Sequence, residues 1–198
     1  MTAKELCELL MTDKPSEAIK NREAEVFALI PILKECKGFD QRNEWHIYDV
    51  YEHTLHVIDG VPKNKELRIA ALFHDVGKPK CYQEDENGVG HFYGHWDESQ
   101  ENFEDFADKY DIENRKLISN LIYYHDKRFA KMPDTEIDRI RKIFGKEGIK
   151  LLFELKRADL KAQNPKYHYS EENQNNLNEL DKQEKSILAR FIDEDLER

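Results

Sequence analysis

Imidazole nitrogens and carboxylate oxygens recur along this chain in the order His53, His74-Asp75, His95, His125 and Asp159. Mixed donors of this kind suit divalent cations such as Mn²⁺, Fe²⁺, Co²⁺, Ni²⁺ or Mg²⁺, and the residue types do not choose among them. Thiolate does not enter the set. Cys7, Cys36 and Cys81 are odd in number and form no CxxC pair, which argues against a soft-ligand zinc site or a disulfide scaffold and for a reducing compartment. Taken together, these positions predict one metal site, or two metals sharing Asp75. Taken singly, each has a plainer reading: His-Asp is a common dipeptide, and a lone inward histidine is more often a satisfied core residue than a ligand.

The elements that must carry these groups are helical. Ile69-Ala70-Ala71-Leu72-Phe73 is apolar on every side, the mark of a helix buried all round. It runs straight into His74-Asp75-Val76-Gly77-Lys78-Pro79, so an imidazole and a carboxylate fall in its last turn, where the partial negative charge of a helix C-terminus favours a cation. His125 lies on the stripe Leu117, Leu121, His125 beside Ile118 and Ile122, its ring inward, whereas Asp126 turns away. Asp159 shares a face with Leu151, Leu152, Leu155 and Ala162. A carboxylate there costs several kcal/mol unless it is paired or bound to metal, and Arg157, close in sequence, points elsewhere on the helix. At 100° per residue, His46, Asp49, His53 and His56 fall within about an 80° wedge of a helix over 46–59. That wedge borders the apolar face of Val50, Thr54, Val57 and Ile58, and part of it is expected to be rim or support rather than ligand. His95 opens a helix after a glycine-rich stretch.

Helices are predicted over 4–11, 16–36 with a bend at Pro31, 46–59, 65–75, 96–109, 112–126, 134–144, 147–163 and 171–196. Strands are confined to a short hairpin near 81–93, with Cys81-Tyr82-Gln83 against His91-Phe92-Tyr93 around Glu86-Asn87-Gly88. A polar loop is expected after Pro165. The class is all-α. At 198 residues the chain is expected to form one domain with an added terminal helix. Its 31 Lys and Arg against 41 Asp and Glu leave a net charge of −10. That balance makes long nucleic acid a poor partner, because a phosphate backbone is gripped mainly by Lys and Arg. A small anionic ligand in a local pocket stays open. The longest apolar runs, 26–30 and 69–73, are far short of a membrane span. The first ten residues lack the cationic start, apolar core and cleavage site of a signal peptide. A cytoplasmic protein with no membrane contact is expected.

At these residues the chain resembles the HD superfamily of metal-dependent phosphohydrolases, whose signature is His … His-Asp … Asp on a helical scaffold. His53, His74-Asp75 and Asp159 match it in order. The chain is more closely similar to the HD domain attached to bacterial CCA-adding tRNA nucleotidyltransferases. That similarity is carried by Gln41, by Trp45-His46-Ile47-Tyr48-Asp49-Val50-Tyr51-Glu52-His53-Thr54, and by Arg68-Ile69-Ala70-Ala71-Leu72-Phe73-His74-Asp75-Val76-Gly77-Lys78-Pro79. His91-Phe92-Tyr93-Gly94-His95, Tyr124-His125 and Ala158-Asp159 complete it. The likeness implies an HD-domain helical bundle over about 25–165, with 1–24 as a helical extension and 166–198 as a charged helix packed on it or extending from it. The nucleotidyltransferase head has no counterpart here, so a stand-alone domain unable to add nucleotides is implied.

The resemblance further implies hydrolysis of a phosphomonoester or a (2′,3′-cyclic) phosphodiester of a nucleotide or short RNA end. His53, His74, Asp75 and Asp159 would hold a first metal, which lowers the pKa of a bound water and polarises a phosphoryl oxygen. His95 and His125 would hold a second, with Asp75 bridging. Asp75 and Lys78 are the expected catalytic residues, Lys78 as counter-charge for phosphate; its plainer reading is an exposed loop lysine. Lys127 and Arg128 could face the same mouth, and His46, Asp49 or Asp126 could orient an imidazole or activate water. Two rival readings stand beside this one. The first is a non-catalytic module that grips a nucleotide or RNA 3′ end around a structural metal; the second is oxidation chemistry at a mixed-valent di-iron pair. The carboxylate at Asp159 favours catalysis over the first, since a structural scaffold would tolerate an apolar residue there.

Overall fold

The computed structural model of the chain describes residues 1–164 and 170–196, with side chains as far as Phe191. Local chemistry sets the helix starts. Thr2 and Glu5 form a reciprocal capping box at the head of α1 (Ala3–Leu10). Pro15 opens α2 (Pro15–Asn21), where its missing N–H costs no hydrogen bond. The single helix expected over 16–36 is corrected to three, α2, α3 (Glu23–Leu29) and α4 (Ile32–Cys36). Arg22 leaves helical geometry at ψ 28°, and Ile30 does so at ψ 81°, in the residue that Pro31 sterically bars from the α region.

A second correction concerns the segment before His53. α5 runs Val50–Gly60, not from 46, because Asp49 adopts an extended backbone and becomes its N-cap. The Asp49 carboxylate accepts from the Glu52 and Gly38 backbone N–H groups, both at 2.7 Å. His46 therefore sits on the loop ahead of the helix, and the wedge drawn through His46 and Asp49 does not exist as a helical face.

Asn64 caps α6 (Lys65–Phe73), whose side chains from Leu67 to Phe73 are all buried, as its apolar sequence requires. The short α7 (Lys78–Cys81) follows. Strand β1 (Gln83–Glu84) pairs antiparallel with β2 (Gly90–His91), Gln83 opposite His91 and Glu84 opposite Gly90. The hairpin is thus present but shorter than expected, with Cys81 in α7 and Phe92 and Tyr93 beyond the ladder. Asp85 closes its turn by accepting from the Asn87 and Val89 N–H groups. Then come α8 (His95–Tyr110), α9 (Arg115–Tyr124), α10 (Asp134–Lys161) and α11 (Glu171–Leu196). α10 is broken at Gly145, φ 62° and ψ 178°, where the sequence leaves a gap between two helices.

α6 is the central rod, touching α1, α5, α8, α9 and α10, while α11 lies along α10. Tyr51, Phe73, Phe103 and Phe153 are among its largest fully buried side chains, each contributing roughly 1.5–3 kcal/mol of burial. Leu6, Leu10 and Ile19 bring α1 and α2 into the same core. The architecture is an all-α bundle carrying one small hairpin. The polar loop expected after Pro165 lies outside the described residues. No described helix is long and apolar enough to cross a membrane.

Candidate metal centre

The bundle brings six predicted donors to one place. His53 comes from the first turn of α5, His74 and Asp75 from the turn that ends α6, and His95 from the first residue of α8. His125 is the C-cap of α9, and Asp159 lies in the last turn of α10. All but Asp159 are buried; the Asp159 side chain keeps 21% of its surface open to the mouth.

The four rings share one orientation rule. Nδ1 of His74 faces the Ala71 carbonyl at 2.7 Å, that of His95 the Phe92 carbonyl at 2.8 Å, and that of His125 the Ile122 carbonyl at 2.6 Å. Nδ1 of His53 faces the Ala162 carbonyl more loosely, at 3.4 Å. A carbonyl only accepts, so each Nδ1 carries the proton and each Nε2 of a neutral ring presents a lone pair. Those lone pairs converge on carboxylate oxygens. Asp75 Oδ2 stands 3.3 Å from Nε2 of His53 and 3.1 Å from that of His74. Asp75 Oδ1 stands 3.3 Å from Nε2 of His95 and 3.5 Å from that of His125. Nε2 of His53 is also 3.0 Å from Asp159 Oδ1, and the Nε2 atoms of His95 and His125 are 3.3 Å apart.

Acceptor facing acceptor in a buried site is unfavourable unless a cation or a proton lies between them, and a single proton on His53 serves only the Asp75 and Asp159 side of the cluster. His53 Nε2, His74 Nε2 and Asp75 Oδ1 are buried without a hydrogen bond, and Asp75 Oδ2 has only the Lys78 ammonium beside it, whereas buried polar atoms are almost always paired. Donors about 2.1 Å from a common ion stand roughly 3.0–3.4 Å from their neighbours in octahedral or tetrahedral arrays, which is the spacing seen here. The donors divide into two groups that share Asp75: His53, His74, Asp75 and Asp159, and Asp75, His95 and His125. Either group could hold a divalent ion.

The charges favour a cation too. Burial alone would raise the Asp75 carboxyl, but His74, Lys78, His125 and His53 outweigh it and hold Asp75 well below the usual carboxylate range. Burial works against protonation of His53, yet Asp159 and Asp75 prevail and lift it to about 9. His125 is pushed down by burial.

The remaining candidates separate. Lys78 is not an exposed loop residue: it is buried at the head of α7, its Nζ 2.7 Å from Asp75 Oδ2 and 2.9 Å from Gln41 Oε1. His46 reaches the cluster from its loop, its ring 5.2 Å from that of His53 and its Nδ1 2.8 Å from Asn43 Oδ1. Asp49 is not brought to the cluster, since its carboxylate is spent on the α5 cap. His56 is exposed against the Tyr48 ring. Asp126 and Arg128 are exposed, and each lines a cavity that His125 and Asp159 line as well. Asp126 shares a cavity of about 230 Å³ at the mouth with Trp45, Tyr93, Trp96 and Gln163.

One residue was missed by sequence reasoning. Lys156 is buried, and its ammonium donates to the carbonyls of His125 at 2.5 Å and Lys127 at 2.9 Å, just past the end of α9. It thereby fixes the backbone that carries the His125 ring. Burial draws its pKa down to about 8. The available signal was its place one helical turn before Asp159.

A family model described as HD domain matches residues 46–194, a stretch that contains all six donors. No curated protein matches the chain.

Proposed function

This chain belongs to the HD domain family, and on that premise we propose a metal-dependent phosphohydrolase that cleaves a phosphomonoester or a (2′,3′-cyclic) phosphodiester of a nucleotide or short RNA end. The observation that carries the reading is the convergence of four buried Nε2 atoms on the carboxylate oxygens of Asp75 and Asp159, at 3.0–3.5 Å, in two groups spaced to hold an ion. His53, His74, Asp75 and Asp159 would hold one ion, and Asp75, His95 and His125 a second. A divalent cation bound there supplies a water of lowered pKa and neutralises charge on a phosphoryl oxygen.

The chain's own residues do the rest. The carbonyls behind the rings keep every Nε2 aimed inward. Lys78 lines the mouth as well as facing Asp75, which places a positive charge beside the position of a substrate phosphate. Asp126, exposed at the mouth, can take up a proton released to solvent. Trp45 and Tyr93, 40% and 67% exposed, offer flat apolar faces on which a nucleobase can stack. The likeness to the HD domains of CCA-adding enzymes supports an RNA end as the substrate. Three free thiols, Cys7, Cys36 and Cys81, support a cytoplasmic, reducing location.

The test is hydrolysis of p-nitrophenyl phosphate, its bis ester, 2′-AMP and 2′,3′-cyclic AMP with each of Mn²⁺, Fe²⁺, Co²⁺, Ni²⁺ and Mg²⁺, beside Asp75→Ala. Turnover that drops by about a thousandfold in the variant is expected. No turnover with any ion, or equal turnover in the variant, overturns the reading in favour of a binding module.

A further inference from the structure

A second cavity, about 550 Å³, adjoins the donor cluster and is lined by the segment 126–131 and by α11. Its size falls within the range of roughly 300–1,000 Å³ typical of small-molecule sites. It is continuous with the mouth described above, because Trp45, His46, His125, Asp126, Asp159 and Gln163 line both. Two of those six, His125 and Asp159, are donors of the cluster, so the cluster sits at the junction of two spaces rather than at the end of one.

Resting on the phosphohydrolase reading, we propose that this groove is a second subsite, and that the substrate is an acyclic phosphodiester whose two ester arms occupy the two cavities with its phosphate at their junction. A monoester or a 2′,3′-cyclic phosphate carries a single arm and leaves one cavity unfilled. The walls differ in a way that suits two arms. The first cavity is aromatic, with Trp45, Phe92, Tyr93 and Trp96. The second sets Arg128 and Lys131 opposite the amides of Asn176 and Gln183 and the carboxylate of Glu179 on α11. Arg128 and Lys131 are exposed and form no ion pair among the described residues, so their N–H donors are available to the acceptors of a nucleoside arm. Lys127 also lines the groove, but its ammonium is engaged 3.9 Å from the Trp96 ring centroid and 4.5 Å from that of Tyr123. α11 offers acceptors and donors for a base edge or ribose hydroxyls. In the reaction one P–O bond breaks. The water oxygen stays on phosphorus, the released arm leaves as an alcohol bearing one of the water protons, and the retained arm becomes a monoester that carries the second proton or loses it to solvent.

The experiment compares the dinucleoside monophosphate ApA with p-nitrophenyl phosphate and 2′,3′-cyclic AMP in the native chain, in Gln183→Trp, which fills the groove, and in Lys131→Ala at an exposed position. Binding of phosphorothioate-linked ApA is read separately by calorimetry. The native chain should prefer ApA over cyclic AMP in kcat/KM by at least tenfold. In Gln183→Trp the ApA to p-nitrophenyl phosphate ratio should fall at least tenfold, and in Lys131→Ala about threefold, with affinity for the analogue falling in parallel. No preference for ApA, or analogue affinity unaltered in both variants, overturns the second subsite even if the simple esters are hydrolysed. Analogue binding that weakens in the variants while no ester is turned over supports the subsite and overturns the hydrolase reading instead.

Discussion

Asp75 gives one oxygen to each ligand group, Oδ2 toward His53 and His74 and Oδ1 toward His95 and His125. Its loss should therefore empty both groups, whereas His125→Ala should cost no more than one ion. Metal analysis of the purified variants checks this: Asp75→Ala near zero, His125→Ala reduced by at most one equivalent. A full complement in Asp75→Ala would sink the shared ligand. Lys156 supports a second prediction. Its pKa is drawn down by burial to about 8, below the ordinary lysine value of about 10.4, so between those values the unfolded chain binds a proton that the folded chain has released. Stability from this group accordingly rises with pH across that window and is absent below it. Relative to Lys156→Met, the native chain should gain about 2 kcal/mol between pH 8 and pH 10 in urea unfolding. A difference that stays flat with pH would show the ammonium to be ordinary. His74, Asp75, His125 and Asp159 were legible in sequence because they interrupt an apolar stripe or end a buried helix. His53 stood out mainly through its place in the ordered His … His-Asp … Asp pattern, and His95 through its place after a glycine-rich stretch. Lys78 was not legible as a buried group, because its burial depends on Gln41, which reaches it across 37 positions of chain.

Helix boundaries are decided by caps, and caps explain which elements sequence patterning placed well. α6 and the two halves of α10 follow their apolar periodicity, and Gly145 marks the break between those halves, although α6 stops at Phe73, ahead of the glycine at 77. α5 does not, because the same Asp49 that looks like a member of a polar face is a better N-cap than a face residue. The loop ahead of it turns through positive φ at Gly38 and Arg42, a course that periodicity does not encode. Gly77 links element packing to the site. A Cβ there would stand 2.5 Å from the His95 carbonyl oxygen and 2.7 Å from the Ser99 amide nitrogen, and the Gly77 N–H itself donates to Ser99 Oγ at 2.9 Å. Gly77→Ala should thus push α8 outward and carry His95 with it. The expected cost is about 2 kcal/mol in urea unfolding, with weaker occupancy of the group that His95 belongs to. Native stability in this variant would mean that α8 is free to slide.

The molecule as a whole combines an acidic exterior with a donor cluster sunk in its bundle. An ion bound only by the folded state at a hundred times its dissociation constant adds about 2.7 kcal/mol. For a chain of this length that corresponds to a melting shift of roughly 5–10 °C. Thermal scans with and without chelator should show that shift in the native chain and none in Asp75→Ala; identical shifts would trace it to surface carboxylates. The chelated protein should nonetheless remain folded, and the reason lies in Lys78. Its ammonium against Asp75, together with the proton that His53 retains up to about pH 9, gives the cavity counter-charges of its own. Small metal domains that lack such provision are unfolded until the ion arrives. Here biosynthesis can run in the other order, the chain maturing first and being loaded afterwards. Supply at the time of loading would then help to decide which ion occupies the site, beside the geometry of the donors.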